Sequence, residues 1–147
     1  GMVVREEMTA AGHGMICQRL GVELGIYARA IGYQHPIVQN TLFDFTPPGA
    51  ARRTVLAPDL AIMRGTGPYP WDQVPVEPPL LAVEVVSSSQ TLAELAVKAR
   101  IYQNAGVDES WLIDHQTRMI EVWTDGQTLT TPLLPGFGMA VTFLLDG

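Results

Sequence analysis

Hydrophobic residues recur every three or four positions between residues 14 and 31, at Ile16, Leu20, Leu24, Tyr27 and Ile31. This spacing predicts an amphipathic helix. A second helix is predicted over residues 92–105. Thr91 and Glu94 stand at the spacing of a capping box, in which each satisfies a free backbone donor of the other, and Gly106 follows as a C-terminal stop.

Apolar runs bounded by proline, glycine or polar residues predict the strands. They cover residues 3–8, 37–45, 55–63, 80–86, 109–114, 119–124, 128–134 and 139–144. The run at 80–86 is apolar almost throughout, which is typical of a central strand covered on both faces. Asp125 and Gly126 predict a hairpin turn. The order of elements predicts an α/β (α+β) fold, in which a mixed central sheet is flanked by helices.

Composition limits the class of protein. The chain has 147 residues, 47% hydrophobic and 16% charged, which predicts one folded domain over residues 1–147. No apolar run reaches the length of a membrane span and no signal peptide is visible, so we predict a cytoplasmic protein without a membrane partner. The single cysteine, Cys17, lies in the first helical pattern and is predicted to be a small buried hydrophobic residue.

The charge balance is acidic. Fifteen acidic residues against nine basic ones give a net charge of -6, which argues against a polybasic coat for nucleic acid. Eight of the nine basic residues are arginines, and the only lysine is Lys98. A polyanion would therefore have to meet a local positive patch, for which Arg52, Arg53 and Arg64 around the 55–63 strand are the candidates.

Glu84 is the most informative residue, because a carboxylate stands in the middle of an apolar strand. A buried ionised carboxylate needs a cation, a partner or a proton. If Asp59 lies on a neighbouring strand, the two carboxylates converge, and their mutual repulsion favours a divalent cation such as Mg²⁺ or Mn²⁺. The alternatives are a buried ion pair with an arginine for Glu84 and a turn or capping role after proline for Asp59.

Lys98 lies on the flank of the apolar stripe of the second helix, beside Tyr102, and is expected to lean towards the sheet. There its ammonium could stabilise the two carboxylates or a developing phosphoryl charge. The alternative is a surface lysine whose apolar stem covers hydrophobic neighbours. Tyr102 is predicted to be a core residue.

Four segments together resemble a known family: Asp59 in PDLAIM, Glu84 in VEVVS, Lys98 in KARIYQNAGV, and the following SWLID. They resemble the Uma-two family of predicted endonucleases, a branch of the PD-(D/E)XK nuclease superfamily. The resemblance extends from about residue 13 to residue 143. In the parent superfamily the lysine lies two residues after the glutamate, where this chain has Val86, whereas the Uma-two branch carries it on the next helix, as Lys98 does here.

The resemblance implies a restriction-endonuclease-like fold and metal-assisted hydrolysis of a phosphodiester bond. Carried over to this chain, Asp59 and Glu84 bind Mg²⁺ or Mn²⁺ together with the backbone carbonyl of Val85, and Lys98 positions or activates the attacking water. His13 matches a histidine common in the family, and it either caps the start of the first helix or contacts the site.

The family's pattern also differs from this chain near the N-terminus. Family members usually begin with a helix and a strand before the segment that matches residues 3–8, so we predict a shortened leader here. Glu7 is a candidate to replace an acidic residue that the leader supplies in relatives. A missing edge strand would expose backbone hydrogen-bonding groups, which predicts a homodimer.

Two functional hypotheses follow. The first is a divalent-metal-dependent endonuclease that acts on DNA through Asp59, Glu84 and Lys98. The second is a degenerate, non-catalytic member of the same family with a structural or protein-interaction role. Metal binding and plasmid cleavage, measured together, discriminate between them.

Overall fold

A computed structural model describes residues 10–70, 72–87, 89–115, 117–122 and 124–147. The helices are α1 (Ala10–Ile31), α2 (Leu92–Ala105) and α3 (Val141–Asp146). The strands are β1 (Ile37–Gln39), β2 (Phe43–Asp44), β3 (Val55–Leu56), β4 (Leu60–Ile62), β5 (Leu81–Val85), β6 (Glu109–Asp114), β7 (Met119–Glu121), β8 (Thr128–Leu129) and β9 (Met139–Ala140). The strand predicted at residues 3–8, and Glu7 within it, lie outside the described residues.

The central sheet has five strands in the order β1-β4-β5-β6-β7. Strands β5 and β6 are parallel and are connected through α2, whereas the other neighbouring pairs are antiparallel. Two small ribbons, β2-β3 and β8-β9, lie outside this sheet. The predicted mixed sheet flanked by helices is confirmed.

The central strand β5 is covered on both faces, as its apolar sequence predicts. Its odd-numbered residues, including Val83, pack in a core cluster with Leu20 and Leu24 of α1. On the other face, Ala82 packs in a second cluster with Tyr102 of α2. Because side chains alternate along a strand, Glu84 is directed towards the α2 side.

Helix α2 has the predicted bounds. The hydroxyl of Thr91 accepts a hydrogen bond from the backbone N–H of Glu94. Gly106 ends the helix in the left-handed conformation, with φ of 94°, which only glycine adopts without strain. Both ends of the helix that carries Lys98 are therefore fixed by local sequence.

Some predicted strands are shorter than the apolar pattern indicates. The strand predicted at 37–45 is divided into β1 and β2, because Asn40 between them has a positive φ of 50°. The strand predicted at 128–134 ends at Leu129, and Pro132 in its second half has no N–H with which to extend a ladder. An antiparallel bridge between Thr124 and Leu129 closes the predicted turn at residues 125 and 126.

The last predicted strand, 139–144, is wrong beyond its first two residues. The chain forms β9 and then turns directly into α3. Leu144 and Leu145 are both buried against the α1 side of the core, although alternation along a strand would direct adjacent residues to opposite faces. A helix allows both side chains to reach the same cluster. No helix in the described part of the chain is long and apolar enough to cross a membrane.

Candidate active site

Asp59 and Glu84 meet at one end of the central sheet. Asp59 directly precedes β4, and the antiparallel register pairs Leu60 with Val83, so continuing it by one residue sets Asp59 opposite Glu84. The carboxyl group of Asp59 raises the pKa of Glu84 through its negative charge and through a hydrogen bond between the two groups. The structure therefore brings together the two carboxylates singled out in the sequence.

Glu84 lies in surroundings that disfavour its charge. Its residue surface is only 6% exposed. Burial is the largest influence and raises its pKa, the hydrogen bond from Tyr102 opposes that rise, and the charge of Asp59 adds to it. The charge of Lys98 lowers the pKa again by a smaller amount. The net result is a raised pKa, so an additional positive charge at this position would be accommodated favourably.

Tyr102 fixes one oxygen of that carboxylate. Its hydroxyl donates a hydrogen bond of 2.5 Å to Oε1 of Glu84, and burial raises the pKa of Tyr102, so the phenol stays a donor. Tyr102 is indeed a core residue, at 1% exposure, but the sequence argument missed its polar role. Its position four residues after Lys98, on the same helical face, is the feature from which the contact could have been predicted.

Lys98 approaches the other oxygen of Glu84. Its Nζ lies 3.8 Å from Oε2, and its side chain is 28% exposed. This distance is longer than a well-formed charge-assisted hydrogen bond. One loosely paired lysine beside two carboxylates leaves the cluster with excess negative charge, and the ammonium keeps access to solvent.

Asp59 is held by the backbone of the central strand. Its Oδ2 accepts a hydrogen bond of 2.7 Å from the N–H of Val85 and lies 3.2 Å from Nε2 of His13. The N–H and C=O of one residue in an extended strand point to the same edge, so the carbonyl of Val85 also faces Asp59. The N–H of Val86 points the other way, to Ile113 of β6.

His13 and Cys17 reach the same carboxylate from α1. They are one helical turn apart, and Sγ of Cys17 lies 3.9 Å from Nδ1 of His13. Burial, followed by the charges of Asp59 and Glu84, raises the pKa of Cys17 to about 12, so its thiol is protonated at neutral pH. One ligand atom from each of His13, Cys17 and Asp59 can be chosen so that all lie within 4.8 Å of one another.

This set of donors fits a divalent cation. Asp59, Glu84 and the carbonyl of Val85 offer oxygen ligands, which Mg²⁺ and Mn²⁺ prefer. The raised pKa of buried Glu84 indicates that the local positive charge does not fully compensate its own. Asp59, with 17% of its side chain exposed, would give such an ion a path from solvent.

The candidate arginines have other partners or positions. Arg53 pairs with Asp44 at 3.1 Å, and Arg52 is exposed. Arg64 pairs with Asp108 at 2.7 Å and also donates to three backbone carbonyls, those of Pro78, Pro79 and Gly106.

The carbonyl partners of Arg64 place it away from the carboxylates. Pro79 precedes β5, whereas Glu84 lies near the end of that strand, so about 16 Å of strand separates the two positions. Arg64 therefore lies at the opposite end of the sheet from Asp59. Its guanidinium makes its contacts within the fold. Among the described residues, neither Arg52 nor Arg53 has an ion pair with Asp59 or Glu84.

The described residues form a mixed sheet between helices, with paired carboxylates at one end of the sheet and a lysine on the following helix. These features match the restriction-endonuclease-like fold that the sequence resemblance implies. The chain belongs to the Uma2 family, described as "Putative restriction endonuclease", whose model matches residues 1–141. The fold is similar to the crystal structure of a "putative nuclease belonging to DUF820" from Anabaena variabilis. That match has a TM-score of 0.74 and 12% identity, and covers 99% of this chain and 87% of the other. No curated protein matches the sequence.

Proposed function

We propose that this protein is a divalent-metal-dependent endonuclease that hydrolyses phosphodiester bonds in DNA. The observation that carries the proposal is the convergence of Asp59 and Glu84 at a solvent-accessible end of the sheet, with Lys98 beside them. Membership of a family described as "Putative restriction endonuclease" supports the reaction class, and that description is the reason for proposing DNA as the substrate.

Three oxygen donors would hold the cation: the carboxylates of Asp59 and Glu84 and the carbonyl of Val85. A bound Mg²⁺ or Mn²⁺ supplies Lewis acidity, which neutralises phosphate charge and makes water a better nucleophile at neutral pH. The N–H of Val85 keeps Asp59 aligned by its hydrogen bond to Oδ2. Asp59 is thereby held in place before any ligand arrives, which lowers the cost of organising the site.

Lys98 and Tyr102 have different tasks in this proposal. Lys98 is close enough to Glu84 to direct a water molecule, and its partly exposed ammonium can stabilise charge on the scissile phosphate. Tyr102 is a positioning residue, because its hydroxyl holds Oε1 of Glu84 and leaves Oε2 to face Lys98. His13 contacts Asp59 and limits its rotation from the α1 side.

A second function is favoured by one specific observation. Asp44 and Asp108 pair with Arg53 and Arg64, in a chain that already carries a net charge of -6. Nonspecific binding to duplex DNA depends on neutralisation of phosphates by lysine and arginine. A degenerate member that keeps the carboxylates for a structural or protein-interaction role is the alternative that this charge distribution supports.

Manganese titration by calorimetry and a plasmid-nicking assay test the proposal together. We expect the wild type to bind Mn²⁺ and to nick plasmid DNA, and we expect Glu84→Gln to lose both, because the variant removes a charged ligand but keeps the side-chain shape. Glu121→Gln is the matched control, since Glu121 is an exposed carboxylate on β7, at the edge of the sheet. The control should bind and cleave like the wild type.

The outcomes separate the two functions. Binding of Mn²⁺ without cleavage of any tested DNA favours the degenerate member. Equal Mn²⁺ affinity in the wild type and in Glu84→Gln would overturn the assignment of the metal site. If Glu121→Gln also lost cleavage, the loss in Glu84→Gln would reflect a general effect on folding and not removal of a metal ligand.

A homodimer remains a prediction. It depends on an exposed sheet edge, and β1 and β7 are the outer strands of the sheet among the described residues. Light scattering coupled to size-exclusion chromatography should give twice the monomer mass of 16.0 kDa. A monomer mass at working concentration would remove the prediction.

A further inference from the structure

Three side chains of different chemistry meet on the α1 side of the site. His13 offers an imidazole nitrogen, Cys17 a sulfur and Asp59 a carboxylate oxygen. The oxygen set of the proposed nuclease site uses only Asp59 of these three. The nitrogen and the sulfur are therefore additional donors that the proposed hydrolysis does not need.

The three donors lie slightly further apart than the ligands of one bound small cation need to be. Zinc binds nitrogen and oxygen at about 2.0–2.2 Å and sulfur at about 2.3 Å, which gives ligand separations of about 3.3 to 3.7 Å in a tetrahedron. One donor atom from each of His13, Cys17 and Asp59 can be chosen so that all three lie within 4.8 Å of one another. Nε2 of His13 lies 3.2 Å from Oδ2 of Asp59, and the other ring nitrogen, Nδ1, lies 3.9 Å from Sγ of Cys17. Because an imidazole binds an ion through one nitrogen, the side chains must move inward until that nitrogen, the sulfur and the carboxylate oxygen surround the same ion.

We propose that His13, Cys17 and Asp59 form a binding site for a zinc-class divalent cation, and that this site shares Asp59 with the oxygen site of Glu84 and Val85. Histidine, cysteine and aspartate are the residue types that bind zinc in proteins, and three protein ligands leave one position for water. The binding itself does not depend on nuclease activity.

The donor set selects against magnesium. A thiolate is a soft ligand that binds Zn²⁺ or Co²⁺ and not Mg²⁺. When sulfur coordinates, the thiol loses its proton to solvent. The partly exposed side chains of His13 and Asp59, at 24% and 17%, open towards solvent, whereas Cys17 is buried behind them. An ion can therefore enter from solvent between His13 and Asp59 and reach the buried sulfur of Cys17.

Sharing of Asp59 has a functional consequence, which rests on the proposed nuclease function. A zinc-class ion on the α1 side would engage Asp59 and compete with Mg²⁺ or Mn²⁺ on the β5 side. Zinc should then inhibit manganese-dependent cleavage, and the inhibition should weaken when Cys17 is replaced. The rate of cleavage would thus depend on which metal ion occupies Asp59.

Cobalt absorption spectroscopy on the full chain tests the site directly. Cys17 is the only cysteine, so any sulfur-to-cobalt charge-transfer band in the near ultraviolet must come from it. We expect this band when Co²⁺ is added to the wild type, and we expect excess Zn²⁺ to remove it. Cys17→Ser and His13→Gln should lose the band and bind Zn²⁺ at least about 100-fold more weakly.

Glu84→Gln is the matched control, because it changes the oxygen site and leaves all three zinc-class donors in place. It should keep the charge-transfer band while its Mn²⁺ affinity falls. Circular dichroism of each variant checks that the fold is retained. Because the wild-type spectrum is itself a test, the proposal stays falsifiable if Cys17→Ser does not fold.

Three results would overturn the site: Co²⁺ bound by the wild type without a sulfur band, no Co²⁺ bound at all, or a band that persists unchanged in His13→Gln. The experiment also separates this inference from the nuclease proposal. A sulfur band in a protein that never cleaves DNA supports the zinc-class site and counts against the enzyme. Cleavage with Mn²⁺ but no sulfur band supports the enzyme and counts against the zinc-class site.

Discussion

The two ends of the central sheet differ in how closely their charged side chains are paired. At one end, Arg64 donates to three carbonyls and pairs with Asp108 at 2.7 Å. At the other end, Asp59 and Glu84 lie together with one lysine, whose Nζ is 3.8 Å from the nearer carboxylate. The first cluster is closely paired and the second is not.

In our proposal, this difference separates a charge that stabilises the fold from a charge that acts in the site. A half-buried arginine with several acceptors connects the β4 end to the start of β5 and to the end of α2. A buried carboxylate with a raised pKa costs folding free energy, which a protein tolerates where a ligand supplies the missing charge. We therefore expect substitutions at the two ends to affect different measurements.

Among substitutions that leave the proposed metal ligands in place, Lys98→Met should have the largest effect. The variant removes the one ammonium near the carboxylates, so we expect the kcat of plasmid nicking to fall by about 10²–10³-fold, because a preorganised positive charge is lost from the transition state. The Mn²⁺ affinity measured by calorimetry should fall much less, since the lysine is not a ligand.

Arg100→Met is the control for Lys98→Met. Arg100 is an exposed cation two residues further along α2, on a different face of the helix. Its removal should leave nicking nearly unchanged. If Lys98→Met cleaves as fast as Arg100→Met, the role assigned to Lys98 is wrong.

Arg64→Met should have a smaller effect, and on stability. Loss of the pairing with Asp108 and of the carbonyl contacts should lower the free energy of unfolding by about 2 kcal/mol. Urea denaturation measures this, and calorimetry should find the Mn²⁺ affinity unchanged. Arg53→Met, which breaks only the exposed pair with Asp44, should cost less than about 1 kcal/mol. Equal losses in the two variants would contradict the comparison.

The smallest effect should be a pH-dependent shift in Tm for metal-free Glu84→Gln. Because the pKa of Glu84 is raised in the folded state, that state binds the proton more tightly than the unfolded chain does. The wild type therefore loses stability as pH rises above the ordinary value of 4.5. In Glu84→Gln this position does not titrate, so it does not lower stability as pH rises, and the variant should have a Tm a few degrees above that of the wild type near neutral pH.

Thermal melts with a chelator check the sign. The difference in Tm between Glu84→Gln and the wild type should be largest at about pH 7.5 and should shrink at about pH 4, where Glu84 is mostly protonated in both the folded and the unfolded state. A difference that is the same at both pH values would show that the substitution acts through packing.

Local patterns predicted the regular elements with strong end signals. The bounds of α2 follow from Thr91, Glu94 and Gly106, and the cover on both faces of β5 follows from its apolar run. The elements at the C-terminus were harder to predict, because residues 139–144 are apolar enough for a strand. The helix α3 forms there because Leu144 and Leu145 share one side of the core.

The candidate site could be predicted only in part. Asp59, Glu84 and Lys98 were singled out because a carboxylate in an apolar strand and a lone lysine are unusual, and the structure places them together. Cys17 and Tyr102 were assigned to the core, and both are buried there. Their polar atoms matter because of what lies beside them. For Tyr102, whose partner Glu84 is 18 residues away, the only sequence signal was its position four residues after Lys98 on one helical face.

The sequence by itself determined the two main helices, the central strand and the acidic charge, because capping, periodicity and composition act over short stretches of chain. Tertiary structure decided which charges are paired. Arg64 pairs with Asp108, and the hydroxyl of Tyr102 is the closest hydrogen-bond donor to Glu84. His13 and Cys17 lie beside Asp59. Electrostatic interactions depend on distance and burial, and both are fixed only when segments far apart in the chain pack together.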